Sequence, residues 1–87
     1  MHRVQIAPLL RSYTGGLAED SVPGHTLGEI LAGLEARYSG IRFRVIDEQD
    51  RIRPHIWLFV AGRLARDLSQ PLAPGDEVQI VAALSGG

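Results

Sequence analysis

Pro74-Gly75-Asp76-Glu77-Val78-Gln79-Ile80-Val81-Ala82-Ala83-Leu84-Ser85-Gly86-Gly87 closes the chain, and it reads as a turn, a strand and a bare end. Pro-Gly supplies the rigid first and φ-positive second positions of a type II turn. Alternation then puts Val78, Ile80 and Ala82 on one face and Gln79, Val81 and Ala83 on the other, so a strand is expected from Glu77 to Leu84. Directly after it the chain reaches Ser85-Gly86-Gly87, with Gly at the terminal carboxylate.

Upstream, His55-Ile56-Trp57-Leu58-Phe59-Val60 is the most β-prone run, with Ile56, Leu58 and Val60 facing one way and His55, Trp57 and Phe59 the other. It predicts a central strand, followed by a turn at Ala61-Gly62-Arg63 and a short edge piece over 64–68. Earlier still, Thr26-Leu27-Gly28-Glu29 has the T-x-x-E spacing of a capping box. A helix opens there, with Leu27, Ile30, Leu31, Leu34 and Tyr38 on one stripe, and Gly40 is placed to stop it in a left-handed conformation. At the start, Arg3-Val4-Gln5-Ile6 alternates as a first strand that continues irregularly through Leu9 and Leu10. Thr14-Gly15-Gly16 turns the chain, and residues 17–22 return as a short antiparallel strand ended by Pro23-Gly24. Residues 41–53 carry a poorer signal, an irregular connection holding one short strand or helical turn. Its arginines Arg42, Arg44, Arg51 and Arg53 read as a solvated face balanced by nearby acids. Two strands, one helix and further strands make an α+β fold: a mixed sheet of about four to five strands packed on one main helix.

Composition narrows the chemistry. The chain has 87 residues, no Cys, and nine basic residues that are all Arg, against ten acidic ones. Disulfides, a thiolate nucleophile, Cys-ligated zinc, a Schiff-base lysine and a P-loop lysine are therefore excluded. One domain over residues 1–87 is expected, with a flexible tail at 84–87. A formal charge of −1 argues against a nucleic-acid partner. No stretch approaches the length of a membrane span and no signal organisation opens the chain, so a cytoplasmic location is expected.

The diglycine end is the feature that carries chemistry. Without Cβ atoms, Gly86 and Gly87 can thread a narrow channel and present an unhindered carboxylate to an activating enzyme. A flexible end of no consequence is the plain alternative. Its surroundings favour the first reading. Pro74-Gly75-Asp76-Glu77-Val78-Gln79-Ile80 with Ser85-Gly86-Gly87 resembles the closing signature of the MoaD/ThiS sulfur-carrier family of ubiquitin-like β-grasp proteins. The resemblance extends through Leu9-Leu10-Arg11, Thr14-Gly15-Gly16, Thr26-Leu27-Gly28-Glu29, Leu34-Glu35-Ala36-Arg37-Tyr38 and Phe59-Val60-Ala61-Gly62. With Tyr38-Ser39-Gly40-Ile41 leading into an extra segment, the match looks closest to the longer branch that includes carriers for cysteine synthesis. Two departures are Ala61, where the family often has Asn, and Val81-Ala82-Ala83, where it often has a Pro.

The resemblance implies a carrier cycle. An E1-like enzyme uses ATP to adenylate the Gly87 carboxylate, sulfur from a sulfurtransferase or sulfide source displaces the adenylate, and the resulting thiocarboxylate donates sulfur to an acceptor held by a biosynthetic enzyme. That acceptor belongs to cysteine, molybdopterin, thiazole or another synthesis. A metal-dependent peptidase that trims adducts is a further implied partner. The chain itself is a protein co-substrate, not an enzyme, and binds no cofactor. Ser85 and Gly86 form the tail before Gly87. Trp57, Phe59 and Val81, on the sheet face away from the helix, together with Arg11 after the first strand, are the candidate partner-binding residues. The sequence leaves open whether residues 41–53 cover the two aromatics.

Two other functions compete: a ubiquitin-like modifier joined through Gly87 to target lysines, and a β-grasp interaction domain without covalent chemistry. Neither a metal site nor a hydrolytic centre is indicated. His2, His25 and His55 lack ligand spacing; Ser12, Ser21, Ser39, Ser69 and Ser85 lack a nucleophile elbow; Asp76 and Glu77 belong to a turn.

Overall fold

The computed structural model describes residues 1–83. Its elements, in chain order, are β1 (His2–Gln5), a 3-10 turn (Pro8–Leu10), β2 (Glu19–Val22), α1 (Leu27–Arg37), α2 (Ile41–Val45), β3 (Ile56–Val60), β4 (Arg63–Leu64) and β5 (Val78–Ala82). The five strands form one mixed sheet in the order β2-β1-β5-β3-β4, with β1 and β5 parallel and every other pair antiparallel.

Alternation decides the faces. Val4 and Ile6, Val22, Ile56, Leu58 and Val60, and Val78 and Ile80 are buried, and they join Leu27, Ile30, Leu31 and Leu34 of α1 in one apolar cluster. Each such side chain contributes about 1.5–3 kcal/mol by leaving water. The 41–53 segment holds the short helical turn that the sequence allowed there, α2, and Ile41, Val45 and the following Ile46 are buried in this cluster, so the segment supplies core residues. One smaller expectation changes. Leu9 and Leu10 belong to the 3-10 turn, because Pro8 at its first position favours a helical start. β3 is an interior strand, as expected, between β5, which takes the middle of the sheet, and the two-residue β4.

The start of α1 shows how the orphan amides of a helix are met. Thr26 Oγ1 accepts from Glu29 N at 3.2 Å, as the capping box requires. Glu29 does not return the bond to Thr26; its Oε1 accepts from His25 N at 2.9 Å. The next amides, Leu27 N and Gly28 N, donate to the Gln70 and Leu68 carbonyls, both at 2.9 Å, which ties the 65–73 loop to the helix. At the other end, Tyr38 Oη and Arg37 both donate to Asp20 on β2, and Arg37 also donates to the Ser21 carbonyl at 2.7 Å. The Tyr38 hydrogen bond, assisted by Ser21 N–H and Arg37, holds the Asp20 carboxyl below its ordinary pKa.

α1 approaches β2 through Gly33. A Cβ built there falls 2.5 Å from Val22 Cγ1, a fully buried and β-branched side chain. Gly33→Ala gains roughly 1 kcal/mol of helix propensity, but overpacking a core costs about 1–3 kcal/mol. The variant should therefore lose stability, by about 1–2 kcal/mol in urea unfolding. Combined with Val22→Ala it should cost less than the two single changes added together. Equal or greater stability for Gly33→Ala alone would mean that Val22 rotates freely out of the way.

A carboxylate from α1 builds the start of α2. Gly40, at φ 95°, occupies the left-handed region and has no side chain to cap the helix. Glu35 caps it instead: Oε2 accepts from Gly40 N at 2.8 Å and Oε1 from Arg42 N at 2.9 Å. These two backbone bonds, Gly40 first, lower the Glu35 pKa. A carboxyl whose pKa falls on folding contributes fully above its unfolded value and progressively less as pH drops through its folded value. Amide exchange at Gly40 and Arg42, corrected for intrinsic rates, should thus be slow at neutral pH and accelerate below the ordinary glutamate range. Glu35→Gln should exchange fast at both pH values; if it protects these amides as the wild type does at neutral pH, the charge is not what holds α2.

Candidate functional site

The sheet face opposite α1 divides into two halves. On the β2–β1 side, Arg3 lies 3.4 Å from Glu19 and 3.8 Å from Glu77, Gln5 Nε2 donates to Glu77 at 2.8 Å, and Gln79 Nε2 donates to Gln5 at 3.3 Å. These side chains satisfy one another. On the β5–β3–β4 side the same face is apolar. Trp57 stands directly opposite Val81 across the β3–β5 ladder, and Phe59 lies opposite Leu64 across the β3–β4 ladder.

Trp57 is 40% exposed, Val81 43% and Leu64 53%, with Phe59 half-buried among them. The 41–53 segment leaves them accessible, which resolves the question left open by the sequence. An apolar patch next to a saturated polar half has the make-up of a protein contact surface. Leu64 was missed by the sequence reading. The structure supplies what the sequence did not: Ala61 and Gly62 both have positive φ, 51° and 80°, as a two-residue type I′ hairpin demands, and that turn pairs Val60 with Arg63 and Phe59 with Leu64. Ala61 is strained in this position. That explains why an Asn there is the better-suited residue, since Asn tolerates the left-handed region.

The end of the sheet carries the remaining candidates. β5 stays in its ladder through Ala83, whose N–H donates to the His55 carbonyl at 3.0 Å. Ser85, Gly86 and Gly87 lie outside the described residues. Because β1 and β5 are parallel, the loop that follows β1 sits beside this end. Arg11 lies there, its Nε donating to the Ile6 carbonyl at 3.1 Å, in a cleft of about 480 Å³ bounded by Gln79, Val81 and Ala82. On the other side of Ala82 a second cleft, about 270 Å³, is lined by Leu9, Tyr13, Arg44 and His55. Arg11 and Val81 thus share a cleft, and Val81 also belongs to the Trp57 patch, so the four residues singled out by the sequence lie along one continuous stretch of surface leading to Ala83.

Of the three histidines only His55 belongs to this region; His2 and His25 lie apart from it. His2 and His25 line a small cleft at the opposite end of the sheet, where His2 Nδ1 is 2.7 Å from the Asp76 carbonyl oxygen. Asp76 serves the turn, its Oδ2 accepting from Ala73 N at 2.8 Å while Gly75 takes φ 85°. Among the described residues no three His, Cys, Asp or Glu side chains gather as a metal group would, and no helix is long and apolar enough to cross a membrane.

Comparison with known proteins agrees with this geometry. The chain is 37% identical over 89 aligned residues to the sulfur carrier protein CysO of Mycobacterium tuberculosis, covering 97% of this chain and 96% of that protein. The crystal structure of Mycobacterium tuberculosis CysO superposes with a TM-score of 0.89 at 32% identity, over 97% of this chain and 100% of that one. A chain of the Amycolatopsis orientalis BexX/CysO complex superposes with a TM-score of 0.91 at 29% identity, over the whole of both chains. The model of the ThiS family matches residues 4–87, from the first strand through the diglycine. The fold is the ubiquitin-like β-grasp expected from the resemblance, and the chain belongs to the ThiS family.

Proposed function

We propose that this protein is a sulfur carrier whose reactive group is the Gly87 carboxylate. An E1-like partner joins that carboxylate to AMP from ATP, releasing pyrophosphate. A sulfur nucleophile then attacks the acyl carbon, AMP leaves, and a thiocarboxylate results. Its sulfur attacks an acceptor held by a biosynthetic enzyme, and hydrolysis returns the carboxylate. Similarity to CysO proteins favours an acceptor on the route to cysteine. Among known relatives, a CysO has been crystallised in complex with BexX, so carriers of this shape do form stable assemblies with other proteins.

The observation that carries the reading is the ThiS match extending through residue 87, on a chain whose side chains include neither thiol nor primary amine. Catalytic groups, nucleotide and any metal then belong to the partners. Trp57, Phe59, Val81 and Arg11 would hold the partner while residues 84–87 extend into it.

Intact-mass measurement of the protein isolated from its native cells tests this. The expected species is one in which a single oxygen has been replaced by sulfur, with fragmentation locating the change at Gly87. Diglycine remnants on lysines of other proteins, without that species, would instead establish a modifier.

A further inference from the structure

The four arginines between residues 41 and 53 fall into two kinds. Arg42 and Arg51 pair with Asp50 and Asp47, at 3.0 and 3.4 Å. Arg44 and Arg53, on the same segment, form no ion pair among the described residues and turn to aromatic rings. Arg44 donates from Nε to the Tyr13 hydroxyl, with its guanidinium 5.7 Å from that ring's centroid. Arg53 donates from Nε to the Phe43 carbonyl at 2.7 Å and lies 4.7 Å from the Phe43 ring. Each is held by its Nε, which leaves the forked Nη groups for another acceptor.

Their position gives this arrangement meaning. Arg44 and Arg53 share a cleft of about 290 Å³ with His55, the residue that holds Ala83, and Arg44 also lines the cleft beside Ala82. Arg11, likewise without an ion pair among the described residues, flanks Ala82 from the other side. Among the described residues, the one carboxylate lining these three clefts is Glu19, which faces Arg3. Three guanidinium groups without an ion pair among the described residues, two of them braced on aromatic rings, therefore surround the point where the described chain passes into residues 84–87.

We propose that Arg11, Arg44 and Arg53 form a cationic collar that receives carboxylate side chains of the protein into which residues 84–87 extend. The identity of that partner rests on the carrier reading; its acidic rim is inferred from the collar. Guanidinium forks match carboxylates in pairs, and bracing them in advance reduces the freedom lost on binding. A protein surface is favoured over a nucleic acid because the chain is net negative and carries Asp47, Glu48 and Asp50 on the same segment, while exposed Phe43 and Leu9 line the collar's clefts with apolar area. Opposite charge around an insertion channel would steer encounter and orient the carrier before its apolar patch seats.

Titration of the ¹⁵N-labelled chain with a hexaglutamate peptide, and in parallel with an oligouridylate, tests the proposal. The peptide should shift the side-chain Nε–H signals of Arg11, Arg44 and Arg53 while leaving Arg63 and Arg66, which also lack ion pairs among the described residues, unmoved; raised salt should remove the effect. Arg44→Gln with Arg53→Gln should weaken the peptide about ten-fold. Tyr13→Phe, which frees Arg44 without discharging it, should weaken it by a smaller factor and guards against misreading a folding defect. Equal shifts at Arg63 and Arg66, or tighter binding of the oligouridylate at the same three residues, would overturn the collar as an acceptor of protein carboxylates. The titration needs no activating enzyme, so a chain that binds hexaglutamate yet never acquires sulfur would sink the carrier reading alone, and a thiocarboxylated chain that ignores the peptide would sink the collar alone.

Discussion

Removal of Gly87 should abolish thiocarboxylate formation and leave the folded domain unchanged. Among the described residues, every buried apolar one lies between Val4 and Ile80, and Ala83 N–H bonds the His55 carbonyl. The deletion therefore removes no described contact, and the melting temperature should stay within about a degree of wild type, as for surface changes generally. Adenylation, by contrast, depends on where the carboxylate sits. Without Gly87 the new carboxylate falls short by one residue, about 3.5 Å of extended chain. Misplacements of roughly 1 Å can already cost about 100-fold in rate. A reconstitution with the activating enzyme, followed by mass spectrometry, should therefore show at least about a 100-fold lower rate of sulfur incorporation. Gly86→Val, which adds a branched side chain where a narrow channel is expected, should act in the same direction. A truncated chain that still supports the pathway at full rate would leave only a non-covalent interaction domain.

The second large effect concerns the apolar half of the sheet. Trp57→Ala should weaken the complex with the activating enzyme by about 2–4 kcal/mol, a loss of roughly 30- to 1,000-fold in affinity, because a central aromatic anchor desolvated by its partner is the usual hot spot. Phe59→Ala should lose less binding and more stability, since this ring is already half-buried in the free protein. Arg3→Ala, on the polar half of the same face, provides the control. Its carboxylate partners Glu19 and Glu77 are solvent-accessible, and exposed pairs of this kind contribute at most about 1 kcal/mol. Calorimetric titration that finds Trp57→Ala indistinguishable from wild type would remove the patch from the docking surface.

The strands, their faces and α1 were legible because each rests on a local rule. Alternation in 56–60 and 78–82 separates core from surface without reference to any other element, and the Thr26–Glu29 spacing marks a helix start. What escaped the sequence depends on distant partners. The place of β5 in the middle of the sheet follows from its parallel pairing with β1, Val4 with Val78 and Gln5 with Gln79, contacts made across nearly the whole chain. α2 spans only residues 41–45, too short for a periodic signal, and its capping group, Glu35, comes from another helix. The arginines beside it look equivalent in sequence; only the fold brings Tyr13 to Arg44 and separates the paired from the unpaired. For the candidate site, Trp57, Phe59 and Val81 could be placed by parity and Arg11 by resemblance. Leu64 required the pairing register of a hairpin whose turn residue, Ala61, is an unusual choice for its backbone angles.

The hydrogen bond from Ala83 to His55 also sets a distance. Four residues follow Ala83, and fully extended they span at most about 14 Å. On the proposed carrier reading, a partner that acts on Gly87 must bring its reactive centre within that radius of the β5 terminus while it docks on the proposed Trp57 face. The carrier is thus a ruler: enzymes with unrelated chemistry and architecture can share it only if each has the same spacing between docking surface and active centre. One residue inserted after Ala83 would put all of them out of register at once.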